Sequence, residues 1–227
     1  MCVLCLARAG GCRQSRQRTV QQGKVIKMSS ERQIRSVPTE FRTREEGDTP
    51  IIEGYFSVFG DIYNIAPGMS ESIASGAFSK SLEGGDIRAL ANHDSTLVLG
   101  RTKAHTLDLI EDSRGLYGKI TINSKDTDAM NLYERVKRGD VSQCSFGFNV
   151  RDEESTISDN GDVHWTLKDV DLIEVSVCTF PAYEQTNVEA RSSQRDEIKK
   201  REMDAWKARM KERLNNGIKS IDAAEKD

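Results

Sequence analysis

Three kinds of side chain in this 227-residue chain could do chemistry together: a serine, an imidazole and a carboxylate. The serine stands in Val141-Ser142-Gln143-Cys144-Ser145-Phe146-Gly147-Phe148-Asn149-Val150. Read as a strand with period 2, this stretch places Phe146, Phe148 and Val150 on one face and Ser145, Gly147 and Asn149 on the other. Ser145 is then a hydroxyl on a rigid element facing open space, which is what a nucleophile needs. Ser142 is the rival, but it falls on the opposite period-2 face, so only one of the two points into a cleft. Candidate bases come from only three histidines, His93, His105 and His164. His93 follows the apolar run Ile87 to Ala91 at a strand end, His105 is flanked like a surface strand residue, and His164 follows the Asp159-Asn160-Gly161 turn on the polar side of its strand. Composition ranks them equally. Glu174 is a carboxylate surrounded by Leu172, Val175, Val177 and Cys178, and burying it alone would cost several kcal/mol. It is therefore expected either in a structural salt bridge or on the Nδ1 of an imidazole. In the second role it would fix the tautomer that leaves Nε2 free to take a serine proton.

The elements that must position these groups read mainly as β. Ile51 to Phe59 is apolar on both faces. Leu116 to Ile122 and Val163 to Leu167 alternate like half-buried strands, and Leu172 to Thr179 reads as a central strand broken only by Glu174 and Ser176. Asp126 or Thr127 caps a helix carrying Met130, Tyr133 and Val136 and closed by Gly139, and Gly76 to Leu82 suggests a shorter one. The pattern predicts an α+β chain, mainly β with a few helices, whose strands form a closed or nearly closed barrel. After Ser192-Ser193 comes a charged helix with Ile198, Met203, Trp206, Met210 and Leu214 in a narrow apolar stripe. That stripe suits either light packing on its own domain or docking on a partner. The expected organisation is a basic leader or upstream-start extension at 1–27, a folded domain at 28–190 and a charged helical tail at 191–227.

Composition narrows the function classes. A net charge of −3 gives no global pull toward nucleic acid, and 37% hydrophobic content suits one ordinary core. No apolar run approaches the roughly 18 residues of a membrane span. Cys2, Cys5 and Cys12 lack the further ligands a structural zinc site requires. Cys144 and Cys178 read as small buried hydrophobes.

Five stretches then occur in a fixed order: Glu53-Gly54-Tyr55-Phe56-Ser57-Val58-Phe59, Glu71-Ser72-Ile73-Ala74-Ser75-Gly76-Ala77-Phe78, Asn92-His93-Asp94 with Leu99-Gly100-Arg101, Ser145-Phe146-Gly147-Phe148, and Leu172-Ile173-Glu174-Val175-Ser176-Val177 with Phe180-Pro181-Ala182-Tyr183. Over roughly Arg32 to Glu189 this series resembles the prohead maturation proteases of tailed bacteriophages, related in fold to the herpesvirus assemblins. The resemblance implies an assemblin-like barrel with flanking helices and a serine endopeptidase that cuts the scaffold region of the major capsid protein, and itself, inside the assembling prohead. It implies Ser145 as nucleophile, His93 as base and Glu174 as third member. His164 is the alternative third member, since assemblins use a second histidine there. Oxyanion donors are expected near Gly147 or in the Gly100-Arg101 turn. No metal or organic cofactor, nucleic acid or membrane is expected to take part. The enzyme would act in the host cytoplasm, packaged in the prohead and absent from the mature virion. Truncation after Ala190 is expected to spare activity and reduce packaging. The competing readings are a non-catalytic capsid assembly factor with the same fold, and a nucleic-acid-binding protein using the basic leader and tail.

Overall fold

The computed structural model describes residues 18–19, 32–39, 41–180 and 185–224. The expected zinc-free cysteine cluster and almost all of the leader lie outside them, as does Pro181-Ala182-Tyr183.

Two sheets face each other across one core. The first is built on a long antiparallel hairpin of β11 (Gln143–Ile157) and β12 (Val163–Cys178). On its outer side β11 pairs with β1 (Arg18–Thr19) and β2 (Gln33–Pro38). The start of β12 runs parallel to β6 (Met69–Ile73), which pairs with β5 (Tyr63–Ala66). The end of β12 runs parallel to β7 (Arg88–Ala91), which turns back into β8 (Asp94–Arg101). The second sheet has the order β3 (Arg42–Glu46), β4 (Thr49–Val58), β10 (Gly115–Thr121), β9 (Leu107–Glu111).

The helices are α1 (Ser79–Leu82), α2 (Thr127–Arg138) and α3 (Gln185–Ala224). The Asp126 side chain accepts from the Asp128 and Ala129 amides, and Gly139 closes α2 at φ 89°, as the sequence predicts.

Mainly β with three helices is the expected class, but the described strands form two separate sheets rather than a closed barrel. Alternating burial is common to a barrel and to two facing sheets, so hydrophobic pattern alone does not tell them apart. The core draws Ile52, Phe56 and Ile120 from one sheet, Ala89, Phe146 and Val175 from the other, and Leu132 and Tyr133 from α2. Phe146 meets Phe78 edge-on at 5.6 Å and stacks on Phe148 at 5.1 Å. Burying each such ring is worth about 1.5–3 kcal/mol, which locks the strand that carries Ser145.

The C-terminal helix begins earlier and is held more firmly than the tail boundary at 191 supposes. Arg191 is fully buried against Trp165, its guanidinium 4.9 Å from the ring centre. It donates to Glu71 Oε2 at 2.5 Å and to Glu153 Oε2 at 2.7 Å. Arg35 meets the same Glu71 through Nε at 2.7 Å and Nη2 at 3.0 Å. Burial raises the Glu71 carboxyl, but the two guanidinium charges outweigh it and hold the group below the usual carboxylate range. Ile198 packs with Met69, Val163 and Trp165. Truncation after Ala190 would therefore cut into the core, contrary to the sequence expectation. Only beyond Ile198 does the stripe leave the domain, with Met203, Trp206, Met210 and Leu214 exposed.

Candidate active site

His93 is placed by a two-residue hairpin turn. Ala91 of β7 pairs with Asp94 of β8, and the two residues between them, Asn92 and His93, have φ of 51° and 62°. Both values positive is the requirement of a tight type I′ turn, which favours asparagine first and glycine second. Histidine therefore occupies a glycine position. Hydrogen bonds to the end of β12 and the residue after it pin the turn there: Asn92 N–H donates to Val177 O at 3.0 Å, and Asn92 Oδ1 accepts from Thr179 N–H at 2.8 Å.

The imidazole reaches back over β12. His93 Nδ1 lies 2.6 Å from Glu174 Oε1, and Glu174 is 2% exposed. Arg32, preceding β2, also pairs with Oε1, while Ser176 Oγ donates to Oε2 at 2.6 Å. Burial pushes the Glu174 carboxyl up. The His93 hydrogen bond and charge, the Ser176 hydroxyl and the Arg32 charge together outweigh this, so the group sits below its ordinary value and is an anion at neutral pH.

Gly147 lies opposite Glu174 across the ladder. A Cβ there would stand 2.6 Å from both Arg32 Nε and Glu174 Oε1, so the missing side chain makes room for the ion pair.

Ser145 is directly opposite Ser176 in the β11–β12 register and directly opposite Ser36 of β2. Residues paired in this way project to the same face, so Ser145, Gly147, Glu174 and Ser176 share one. The open space expected around Ser145 is absent, because the residue is fully buried. Its Oγ donates to the Arg35 carbonyl at 2.9 Å rather than to His93. The period-2 pattern identified the face, but it carried no sign that β2 would flank it.

His93 Nε2 lies 3.8 Å from Cys178 Sγ, a thiol whose pKa burial and the Glu174 charge push up to about 12.

His164 stands ten residues upstream of Glu174 on β12, roughly 30 Å of extended strand away. Its ring is held between Ser70 Oγ on Nδ1 and Ser72 Oγ on Nε2, each at 2.9 Å, and burial lowers its pKa. His105 is exposed at the end of a 3-10 turn (Thr102–Ala104) with φ 55°. Gly100 and Arg101 lie not in a turn but at the end of β8, paired with Ala89 and Arg88, with the Arg101 amide committed to Thr106 Oγ1 at 2.9 Å, and Gly147 is within the β11 ladder. Arg32 and Ser176 are the site residues sequence reasoning missed. Ser176 left one signal, a hydroxyl two residues from Glu174 in an otherwise apolar strand.

Among the described residues no three His, Cys, Asp or Glu side chains cluster as a metal site, and no helix is long and apolar enough to cross a membrane. Comparison with known proteins bears on the same residues. The sequence profile described as "Caudovirus prohead serine protease" matches residues 38–201, which includes His93, Ser145, Glu174 and both sheets apart from β1 and all of β2 but its last residue, Pro38. The chain belongs to the caudovirus prohead serine protease family. It is 32% identical over 158 residues to the "Prohead protease" of Enterobacteria phage HK97, a match covering 68% of this chain and 66% of that relative. No solved structure matches it.

Proposed function

We propose that the chain is a serine endopeptidase that cleaves the scaffold region of the major capsid protein, and itself, inside the assembling prohead in the host cell. The observation that carries this reading is the 2.6 Å contact of His93 Nδ1 with the buried Glu174 carboxylate, on the face of the sheet that also bears Ser145. Family membership supports it.

In the reaction, the Ser145 side chain turns from the Arg35 carbonyl to His93 Nε2 and attacks the scissile carbonyl carbon. His93 takes the Oγ proton as the Oγ–C bond forms. Glu174 stabilises the resulting imidazolium and keeps Nδ1 protonated throughout. The tetrahedral adduct collapses as His93 passes its proton to the leaving amine and the C–N bond breaks. Water then repeats the cycle on the acyl-enzyme, with His93 as base, releasing the acid and restoring Ser145. The exposed stripe of Met203, Trp206, Met210 and Leu214 on α3 supplies a face for docking on the scaffold, which would carry the enzyme into the shell.

Co-expression with the capsid protein tests this. Mass spectrometry of the shell protein should find a shortened N-terminus with the wild-type chain, and a full-length one in assembled particles carrying Ser145→Ala or His93→Ala. Processing that survives both substitutions would overturn it.

A further inference from the structure

Three hydrogen bonds close a ring around His93. Its backbone N–H donates to Ser176 Oγ at 3.3 Å, Ser176 Oγ–H donates to Glu174 Oε2 at 2.6 Å, and Glu174 Oε1 faces His93 Nδ1 at 2.6 Å. One hydroxyl thus holds the histidine by its main chain and the carboxylate that orients its ring. Ser176 is fully buried. Its only proton is spent on Glu174, so its hydroxyl is set to hold rather than to attack.

This tie matters because of where His93 sits. The left-handed turn disfavours any residue with a Cβ there. A ring on such a backbone needs support from outside the turn to keep one orientation. Glu174 has the complementary need: a buried carboxylate with a free oxygen would rotate, and the contact to Nδ1 would lengthen. Ser176 meets both demands at once.

We infer that Ser176 is a positioning residue of the proposed peptidase, fixing the His93 backbone and the Glu174 carboxylate in register with each other. The inference rests on the catalytic reading of His93 and Ser145 and assigns no bond-making step to Ser176.

The test uses the full chain as wild type, Ser176→Ala and Ser176→Thr. Two quantities are read: the second-order rate of labelling by a fluorophosphonate, and the far-downfield proton NMR resonance of His93 Nδ1–H, assigned by its loss in His93→Ala. A displacement of about 1 Å in a catalytic group costs on the order of 100-fold, so Ser176→Ala should slow labelling roughly 10- to 100-fold. It should also broaden or shift the resonance upfield while the melting curve stays cooperative. Ser176→Thr, which keeps the hydroxyl, should restore both to near wild type. Wild-type labelling and an unmoved resonance in Ser176→Ala would overturn the inference, leaving Ser176 as packing. So would a wild-type adduct found on Ser176 itself. If the wild-type chain takes no label on any serine, the proposed function fails, and the resonance alone then decides the role of Ser176.

Discussion

Replacing His93 by glycine and by alanine separates the backbone of the Asn92–His93 turn from its chemistry. Both variants lose the imidazole and its contact with Glu174, so both should be inactive and both should leave the carboxylate, among the described residues, with Arg32 and Ser176. They differ in what the turn asks of residue 93. At φ 62° a residue with a Cβ costs about 1–2 kcal/mol, which glycine avoids. Glycine also gives the unfolded chain more freedom, which works against it by about 0.4–1 kcal/mol. The difference leaves His93→Gly more stable than His93→Ala by roughly 0.5–1 kcal/mol, the reverse of the usual order at a strand end. For a domain of this size, that is about 1–4 °C in Tm. Thermal and urea unfolding of the two inactive proteins reads it directly, without interference from self-cleavage. An alanine variant as stable as the glycine one, or more so, would refute the strained-turn account of how His93 is presented.

Gly147→Ala should cut the rate of capsid-protein processing about 100-fold, because its Cβ falls 2.6 Å from a Glu174 oxygen that has no room to move, while half-exposed Arg32 can swing aside. An unchanged rate would show that the pair adapts. Arg191→Met should destabilise the domain by about 3–5 kcal/mol in urea unfolding of a Ser145→Ala background, since it strips a buried partner from Glu71 and Glu153. A loss below 1 kcal/mol would mean that α3 is not anchored there. Glu71 titrates below its ordinary value, so its contribution is complete above about pH 4.3 and is lost only as pH falls through the lower folded value. Unfolding free energy measured against pH should accordingly fall more steeply below that point in the wild type than in Glu71→Gln.

Local features were legible in the chain: the Asp126 cap, the Gly139 stop, and the alternation that puts Phe146 and Phe148 in the core and Ser145 on the other face. Each depends on residues within one or two turns or along one strand. What escaped depends on pairing between distant segments. The strand at Gln33–Pro38, whose carbonyl holds the Ser145 hydroxyl, is short and mixed in polarity, and it becomes a strand by docking on β11. The Arg35–Glu71–Arg191–Glu153 cluster joins four elements, and nothing in a charged helix start such as Gln185–Arg191 marks one arginine as buried. Barrel closure was not readable for the same reason, since period 2 reports a strand's buried face and not its neighbour. The Asn92–His93 turn had a readable signal, an asparagine at a strand boundary before a short polar run, though the histidine in second place disguised it.

The proposed chemistry requires that Ser145 be a nucleophile served by His93. Tandem mass spectrometry of the full chain after treatment with a fluorophosphonate tests it most directly. A single phosphonylated serine, Ser145, is expected in the wild type, and no adduct in His93→Ala. An adduct at Ser142 or Ser176, or labelling of Ser145 that persists without the imidazole, would contradict it.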